Sequence, residues 1–224
     1  MLKSLYPDVE WEAVRVVGFD LDGTLYDEFD FIRQAYQPIA ARLAAAVRGS
    51  VESVYRTLLD RWLEKGSSYP RIFEELLAAT GVDQANAAGV VAECLELFRA
   101  TEPRLALCQR VTHLLNEFSR RYGLFLVSDG RPRLQRAKMA ALGLDRWFKA
   151  GNIVVSGEHG PEFRKPSNRM KAKVQALAQP LAPSAVVYFG DRMVDRDFAA
   201  NAGFTFVGVH CLVPAPVRAA GQTP

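Results

Sequence analysis

Cysteine is scarce in this sequence, and the few positions follow no pattern of covalent or metal-bound cross-links. Cys94, Cys108 and Cys211 are the three cysteines among 224 residues. Their spacings match neither a disulfide framework nor a zinc site, so neither form of stabilisation is predicted. The apolar neighbours of each cysteine favour a packing role in a protein of a reducing compartment.

Long apolar runs and a strong net charge are also lacking. No run approaches the roughly 20 residues that cross a bilayer, and the N-terminal segment MLKSLYPDVEWEAV lacks the apolar core of a signal peptide. We therefore predict a cytoplasmic protein with no membrane partner. The formal net charge of +3 is too small and too dispersed to indicate a nucleic-acid partner, although it is compatible with anionic small molecules.

Short apolar segments alternate with helical patterns. Five segments are near-continuously apolar, which is typical of parallel strands covered on both faces: 14–19, 124–127, 153–155, 186–189 and 204–209. The helical patterns at 132–142 and 194–202 end before Gly143 and Gly203. This order predicts an α/β protein with an open, doubly wound parallel sheet, whose site lies beyond the carboxyl ends of the strands.

Residues 27–102 contain no convincing strand and several amphipathic helical patterns. Their apolar stripes, which include Val51 and Leu95, predict four helices packed together as an insertion, with a kink or a break at Pro38. We therefore expect a core domain of residues 1–26 and 103–224 and a helical domain of residues 27–102. Residues 214–224 are rich in Pro, Ala and Gly, which favours an irregular tail.

The segment FDLDGTLYD places two carboxylates at the end of the first predicted strand. Alternation along an extended chain points Asp20 and Asp22 the same way, so the two like charges lie close together. A cation, a shared proton or a basic neighbour must offset their repulsion, which favours a metal or acid–base site. Taken alone, the motif is also compatible with solvated carboxylates of a turn.

Three later strands also end in polar clusters, each of which is ordinary by itself. Ser128 and Asp129 follow the second strand, where a hydroxyl and free backbone NH groups can hold phosphate oxygens. Lys165 lies in a loop after the third strand, and Pro166 is predicted to begin a helix. Asp191 ends the fourth strand, and Asp195 lies at the start of the next helix. The recurrence at four strand ends indicates a single site.

With these motifs the chain resembles the haloacid dehalogenase superfamily of phosphohydrolases, in the branch that carries a helical cap. The resemblance covers essentially the whole chain, including the segment QRAKMAALGLDRWF, and its motifs correspond to Asp20-Leu21-Asp22-Gly23-Thr24, Ser128, Lys165, and Gly190-Asp191 with Asp195. It implies a Rossmann-like sheet in the strand order 5-4-1-2-3, with the insertion acting as a cap over the site.

The resemblance also implies a mechanism and a cofactor. A phosphate dianion repels a carboxylate nucleophile, so a hard cation is needed, and Mg²⁺ suits oxygen ligands. Asp20 and Asp191 would bind it through carboxylates and Asp22 through its backbone carbonyl, while Asp195 would orient a metal-bound water. Asp20 would attack phosphorus and Asp22 would serve as acid and then base. The expected phosphate-binding residues are Ser128, Asp129 and Lys165.

Several alternatives stay open at this stage. A phosphosugar mutase keeps both aspartates of the first motif, and a non-catalytic regulatory module could share the fold. Arg131 and Arg192 could bind a second anionic group of the substrate or pair with nearby carboxylates. The helical insertion offers five residues that could contact a leaving group or serve only in packing and at the surface: Arg33, Tyr36, Arg56, Tyr69 and Arg71. The expected substrate is a small phosphorylated metabolite, and the protein is expected to be a monomer or a homodimer.

Overall fold

The computed structural model describes residues 2–67 and 69–215. The chain divides into two compact units. One consists of the residues up to Glu28 together with those from Leu105 onwards, and the other spans Phe29–Arg104. The predicted domain boundaries at 26 and 102 lie two residues before these limits. None of the helices in the described residues combines the length and hydropathy needed to span a bilayer.

The first unit is built around a six-stranded sheet. Its strands are β1 (Val16–Phe19), β2 (Gly123–Ser128), β3 (Ile153–Val155), β4 (Val186–Gly190), β5 (Thr205–His210) and β6 (Val213–Pro214). Their order is β3-β2-β1-β4-β5-β6, with parallel pairing throughout except for the antiparallel pair β5 and β6. The predicted doubly wound α/β fold and the order 5-4-1-2-3 are thus confirmed, with β6 as an added edge strand.

The central strands are buried because helices cover both faces of the sheet. Every residue of β1 and β4 is buried, as their continuous apolar sequences predict. Phe19 of β1 stacks against Phe189 of β4, with ring centroids 5.4 Å apart. A side chain at Gly18 would overlap the ring of Phe125, so the close contact between β1 and the β2 side chain requires glycine at that position.

In the part of this unit that the structure describes there are four α-helices: α1 (Leu2–Leu5), α6 (Gln109–Arg121), α7 (Pro132–Ala141) and α8 (Met193–Ala202). Pro132 is the first residue of α7, where its missing NH group is not needed. Gly203 follows α8 in the left-handed conformation, with φ 75°, and its NH group caps the last turn. The predicted helices at 132–142 and 194–202 are therefore confirmed to within one residue.

The helix predicted to begin at Pro166 is wrong. This stretch instead forms short 3₁₀ helices, Asn168–Lys173 and Gln175–Leu177, which are separated by the extended residue Val174. Met170 and Val174 are buried in the core beside side chains of β2 and β3. Local helical propensity is a weak guide to such a segment, and here it does not decide the structure.

The second unit consists of α2 (Glu28–Val47), α3 (Val51–Lys65), α4 (Ile72–Ala79) and α5 (Gln84–Ala100). Four helices were predicted here, and α2 continues through Pro38 without a break. Two stripe residues are misassigned, because Val51 is 49% exposed and Leu95 is 36% exposed. Val51 is the first residue of α3, directly after its N-cap Ser50. Leu95 follows the buried Cys94 in α5 and therefore points to a different side of that helix.

The cysteines and the C-terminal segment differ in part from expectation. Cys94 is buried, and burial raises the pKa of its thiol to about 11. Cys108 is exposed and Cys211 is half-buried, so the predicted packing role holds for Cys94 alone. Pro214 is expected in an irregular tail, but it lies in β6 and pairs with Val209 of β5. The remainder of that predicted tail, from residue 216 onwards, lies outside the described residues.

Candidate active site

Side chains from distant parts of the first unit meet at the carboxyl edge of its sheet. Asp20 directly follows β1, Ser128 ends β2 and Asp191 directly follows β4, and these three strands are neighbours. The chain leaves β1 toward β2 on one side and reaches β4 on the other, which is the switch point where ligands bind in such sheets. Lys165 and Asp195 join the group, and all five side chains are buried.

Three carboxylates form the centre of the site. Ligand oxygens of Asp20, Asp191 and Asp195 all lie within 4.8 Å of one another. Burial raises the pKa of Asp20 to about 7, against the opposing effect of Lys165. Burial and the neighbouring Asp20 also raise the pKa of Asp191. The three acids therefore repel one another when ionised, and they need a compensating cation.

The donor set fits a hard divalent cation. All three groups offer oxygen, which Mg²⁺ prefers, and Oδ1 of Asp191 is buried and accepts no hydrogen bond. The guanidinium Nε of Arg192 lies 3.8 Å from that oxygen. Gly23 passes so close to Asp191 that a side chain there would overlap the carboxylate, and its φ of 76° also favours glycine. The site can therefore hold a metal ion between the ends of β1 and β4.

Lys165 provides one positive charge inside this acidic group. Its ammonium group donates a hydrogen bond to Asp20 and another, of 2.7 Å, to Asp195. Although burial lowers the pKa of Lys165, Asp195 and Asp20 together hold it well above its usual value. The backbone NH of Lys165 donates to the carboxylate of Asp129, at 3.1 Å to Oδ2. Asp129 thus fixes the loop that carries Lys165, and its direct contact with phosphate stays a prediction.

Asp22 is also buried, but its hydrogen-bond partners differ from those of the three central carboxylates. Lys138 donates to its Oδ1 at 2.6 Å, and Gln135 donates to its Oδ2 at 2.7 Å. The hydroxyl of Tyr26 donates to Oδ1 as well. Burial raises the pKa of Asp22, but the charge and hydrogen bond of Lys138 outweigh it, so the net direction is downward.

The sequence analysis missed Tyr26, Gln135 and Lys138. Gln135 and Lys138 lie three positions apart on α7, so they share one face of that helix, and both are buried. The Gln-x-x-Lys spacing shows that the two side chains share a face of the helix, but the sequence does not show that this face turns inward. Gln135 also donates to the hydroxyl of Ser128 at 2.6 Å, which links two motifs of the site.

The turn between β5 and β6 forms backbone hydrogen bonds with the first motif. The backbone NH of Cys211 donates to the carbonyl of Gly23, and that of Leu212 donates to the carbonyl of Thr24, both at 3.0 Å. Tyr6 then donates from its hydroxyl to the carbonyl of Leu212 at 2.7 Å. The turn between β5 and β6 therefore holds the backbone that follows Asp20 and Asp22, and Tyr6 holds that turn.

The sequence is compatible with two roles for Arg131 and Arg192: binding a second anionic group of the substrate or pairing with nearby carboxylates. Arg192 lies 3.8 Å from Asp191 and 4.0 Å from Asp195, which favours its interpretation as a partner of carboxylates. Its backbone NH donates to Asp195 at 3.2 Å and helps to begin α8. Arg131 is exposed at the N-cap of α7.

Four of the five candidate residues of the helical unit make contacts within that unit. Arg33 and Arg56 are exposed and pair with Asp30 and Glu52 at 3.2 and 3.1 Å. Tyr36 is buried beside Phe73, and the half-buried Tyr69 donates a hydrogen bond to Glu75, while Arg71 is exposed. These contacts favour packing and surface roles.

The fold and the site together define a class: a doubly wound α/β protein that gathers carboxylates and a buried lysine at its switch point. Comparison with known proteins identifies the family. A family model described as a haloacid dehalogenase-like hydrolase matches residues 14–203. The chain therefore belongs to the haloacid dehalogenase-like hydrolases, and it is an enzyme of that family.

Individual relatives agree with this assignment. A glyceraldehyde 3-phosphate phosphatase of Methanopyrus kandleri is 31% identical over 204 residues, which cover 88% of this chain and 84% of that protein. A protein of the same name from Methanothermobacter thermautotrophicus is 28% identical, covering 70% and 68%. The crystal structure of a putative β-phosphoglucomutase from Thermotoga maritima superposes with a TM-score of 0.60 at 22% identity, covering 88% and 86%. This last likeness shows the fold.

Proposed function

We propose that this protein is a magnesium-dependent phosphatase that hydrolyses a small phosphate monoester through a phosphorylated intermediate on Asp20. One observation carries the proposal: three buried carboxylates and one buried lysine, Lys165, meet at the switch point of the sheet. The two relatives named as phosphatases support the same reaction class. A phosphate needs positive charge around it and a nucleophile in line with the leaving group, and this site can offer both.

The metal site of the proposal uses the acids already described. Asp20 and Asp191 would bind Mg²⁺ through carboxylate oxygens and Asp22 through its backbone carbonyl, with Asp195 completing the acidic surroundings. The bound ion would offset the charge of the phosphate and of the carboxylates that face it. Lys165 would keep its contact with Asp195 and would be able to hold phosphate oxygens beside Asp20.

In the first step a carboxylate oxygen of Asp20 attacks phosphorus, and the bond between phosphorus and the ester oxygen breaks. Asp22 delivers a proton to that leaving oxygen, which departs as an alcohol. In the second step water attacks the phosphorus of the aspartyl phosphate and loses a proton to Asp22, and Asp20 is released with inorganic phosphate. Ser128 and Lys165 stabilise the transferring oxygens in both steps.

The contacts of Asp22 suit the second step directly. Lys138 favours the ionised form of this carboxylate, and that form is required to accept a proton from water. The acid role in the first step requires that a proton reach Asp22 when the substrate binds. Asp22 would then alternate between its two forms once in each turnover.

The helical unit is proposed as a cap. It is inserted between the first motif, at Asp22, and the second, at Ser128. Inserted domains in this position can exclude water from the first transfer and contact the leaving group. The substrate class that we propose is a small phosphorylated metabolite, and glyceraldehyde 3-phosphate is the first compound to test because two relatives carry that name.

The test is phosphate release from a panel of phosphorylated metabolites, with Mg²⁺ and with excess chelator. We expect release that depends on Mg²⁺, is lost in Asp20→Asn, and is retained in the matched variant Asp197→Asn, whose carboxylate is exposed on α8. Transfer of the phosphoryl group to a second sugar hydroxyl without release would favour the mutase instead. Release that is unaffected by Asp20→Asn would contradict the proposal.

A further inference from the structure

The inward face of α7 carries two polar side chains that are unusual for a protein interior. Gln135 is 2% exposed and Lys138 is 3% exposed. Lysine and glutamine are mostly exposed in folded proteins, and a buried ammonium group is unfavourable unless a carboxylate and further hydrogen bonds compensate for it. Both side chains reach the same partner, Asp22, which lies more than 110 residues away in sequence.

The two side chains donate to different oxygens of the Asp22 carboxylate, and Tyr26 also donates to Oδ1. Lys138 takes Oδ1 at 2.6 Å and Gln135 takes Oδ2 at 2.7 Å. A carboxylate has no hydrogen to donate when ionised, so the NH₂ group of Gln135 must face it, and this settles the orientation of the amide. Rotation of the Asp22 carboxylate about its bond to Cβ would break at least one of these contacts.

Gln135 extends the arrangement to the second motif. The same NH₂ group donates to Oγ of Ser128 at 2.6 Å, using its second hydrogen. A side chain at Gly130 would press on Gln135, with its Cβ 2.9 Å from Cγ, and the φ of 143° at Gly130 also favours glycine. The loop after β2 is therefore shaped around Gln135, and Asp22 and Ser128 are tied to one side chain.

We propose that Lys138 and Gln135 are positioning residues that hold the carboxylate of Asp22 in the one orientation from which it exchanges a proton with the leaving oxygen. The inference rests on the proposed function and adds two residues to it. Lys138 and Gln135 act through the side chain of Asp22, whereas the metal ion would be held by the carboxylates of Asp20 and Asp191 and by the backbone carbonyl of Asp22. Their removal is therefore expected to impair proton transfer and to leave metal binding intact.

The signature of such a role is a dependence on the leaving group. A poor leaving group, such as the alkoxide of an alkyl phosphate, needs its proton as the ester bond breaks, whereas p-nitrophenolate departs without one. Lys138→Met keeps the length of the side chain and removes its charge. We expect kcat/KM, which reports only the steps up to departure of the leaving group, to fall by about 10²-fold for an alkyl phosphate that the wild type hydrolyses and by less than about 10-fold for p-nitrophenyl phosphate.

Two further variants make the test specific. Arg136→Met lies on the same helix but changes an exposed side chain that pairs with Glu158, and it should leave both rates unchanged. Gln135→Met removes the second donor while retaining the Lys138 ion pair, and it should give a smaller loss in the same direction. It also carries the test if Lys138→Met does not fold. A thermal shift on addition of Mg²⁺ in each variant reports whether the metal site is intact.

The outcomes separate the two proposals. If the wild type releases phosphate and a folded variant loses equally on both substrates, or loses nothing, the positioning role is overturned while the phosphatase remains. If the variants lose the Mg²⁺-induced thermal shift, the role is structural and the inference is again overturned. If the wild type releases phosphate from neither substrate, the proposed function fails and this inference fails with it.

Discussion

The two units of the molecule use charge in opposite ways. At the carboxyl edge of the sheet, Lys165 pairs with Asp20 and Asp195, and the side chains of all three are at most 1% exposed. In the helical unit, Arg56 and Glu52 form an ion pair with side chains 75% and 68% exposed. The first unit therefore buries one group of charges at its sheet edge, whereas this pair of the second unit lies in water.

This difference shows in which part of the molecule function can be inferred from structure. A buried charge is costly to desolvate, so a group of several is retained only where partners or a ligand compensate for it. An exposed pair contributes little and is compatible with many sequences. The buried group therefore points to the chemistry of the first unit, and the exposed pairs of the second carry little information about a substrate.

The largest expected effect is on activity, and it tests whether the buried acids are catalytic. In Asp22→Asn the amide oxygen can still accept from Lys138, so the protein should fold, but the side chain can no longer exchange a proton. We expect kcat for Mg²⁺-dependent phosphate release to fall by about 10² to 10⁴-fold. Thermal unfolding provides the control for folding, and a folded variant with wild-type kcat would refute the acid–base role.

The next effect concerns stability and sets the buried charges directly against the exposed ones. Lys165→Met leaves Asp20 and Asp195 without their shared cation. For the metal-free protein at pH 8 we expect the free energy of unfolding to fall by about 3–5 kcal/mol, because breaking a buried ion pair by removing one partner is strongly destabilising. Urea denaturation measures it. A loss no larger than that of an exposed pair would remove the contrast between the two units.

A smaller effect on stability comes from the protons and the Mg²⁺ ion that compete for the buried carboxylates. The pKa of Asp20 is raised to about 7 and that of Asp191 is raised as well, so the folded protein binds more protons than the unfolded chain between about pH 4 and 7. The metal-free protein should therefore lose stability as pH rises through that range, because ∂ΔG/∂pH is negative when the folded state holds the extra protons.

Mg²⁺ competes with those protons for the same oxygens. Its stabilisation should be larger at pH 8 than at pH 6, reaching about 2.7 kcal/mol when the ion is present at 100 times its dissociation constant. Thermal unfolding with and without Mg²⁺ at both pH values checks this, with Asp191→Asn as the variant that loses the shift. An equal shift at both pH values would mean that the raised pKa values do not govern binding.

The smallest effect is expected in the helical unit. Arg56→Met removes one partner of an exposed pair within α3. We expect the free energy of unfolding to change by less than about 1 kcal/mol, because water solvates the remaining carboxylate of Glu52 after the change. The same urea denaturation measures it beside Lys165→Met. A loss of several kcal/mol would show that this surface pair is more important than its exposure indicates.

Sequence reasoning succeeded where a local signal decides the structure. Strand positions followed from apolar runs, and helix ends followed from glycines such as Gly143 and Gly203, because backbone sterics act within a few residues. It failed after Pro166, where the structure has two short 3₁₀ helices in place of the predicted helix, with Met170 and Val174 buried in the core. Local propensity is too weak to predict that outcome.

The candidate site divides in the same way. The strand-end acids could be predicted, because parallel strands bring their carboxyl ends to one edge. The role of Lys138 could not be predicted, because its contact with Asp22 joins residues 116 positions apart. That contact also depends on which face of α7 turns inward. The lysine and glutamine of that face look like ordinary surface residues until the helix is docked against the sheet.

The most direct test of the account is to identify the phosphorylated group during turnover. Enzyme mixed with a hydrolysed substrate and Mg²⁺, quenched in acid and digested, should yield a peptide containing Asp20 with one added phosphoryl group, detected by mass spectrometry. Asp20→Asn and substrate-free enzyme should yield none. Phosphate release by the wild type with the phosphoryl group on another residue, or with no labelled peptide under single-turnover conditions, would contradict the account.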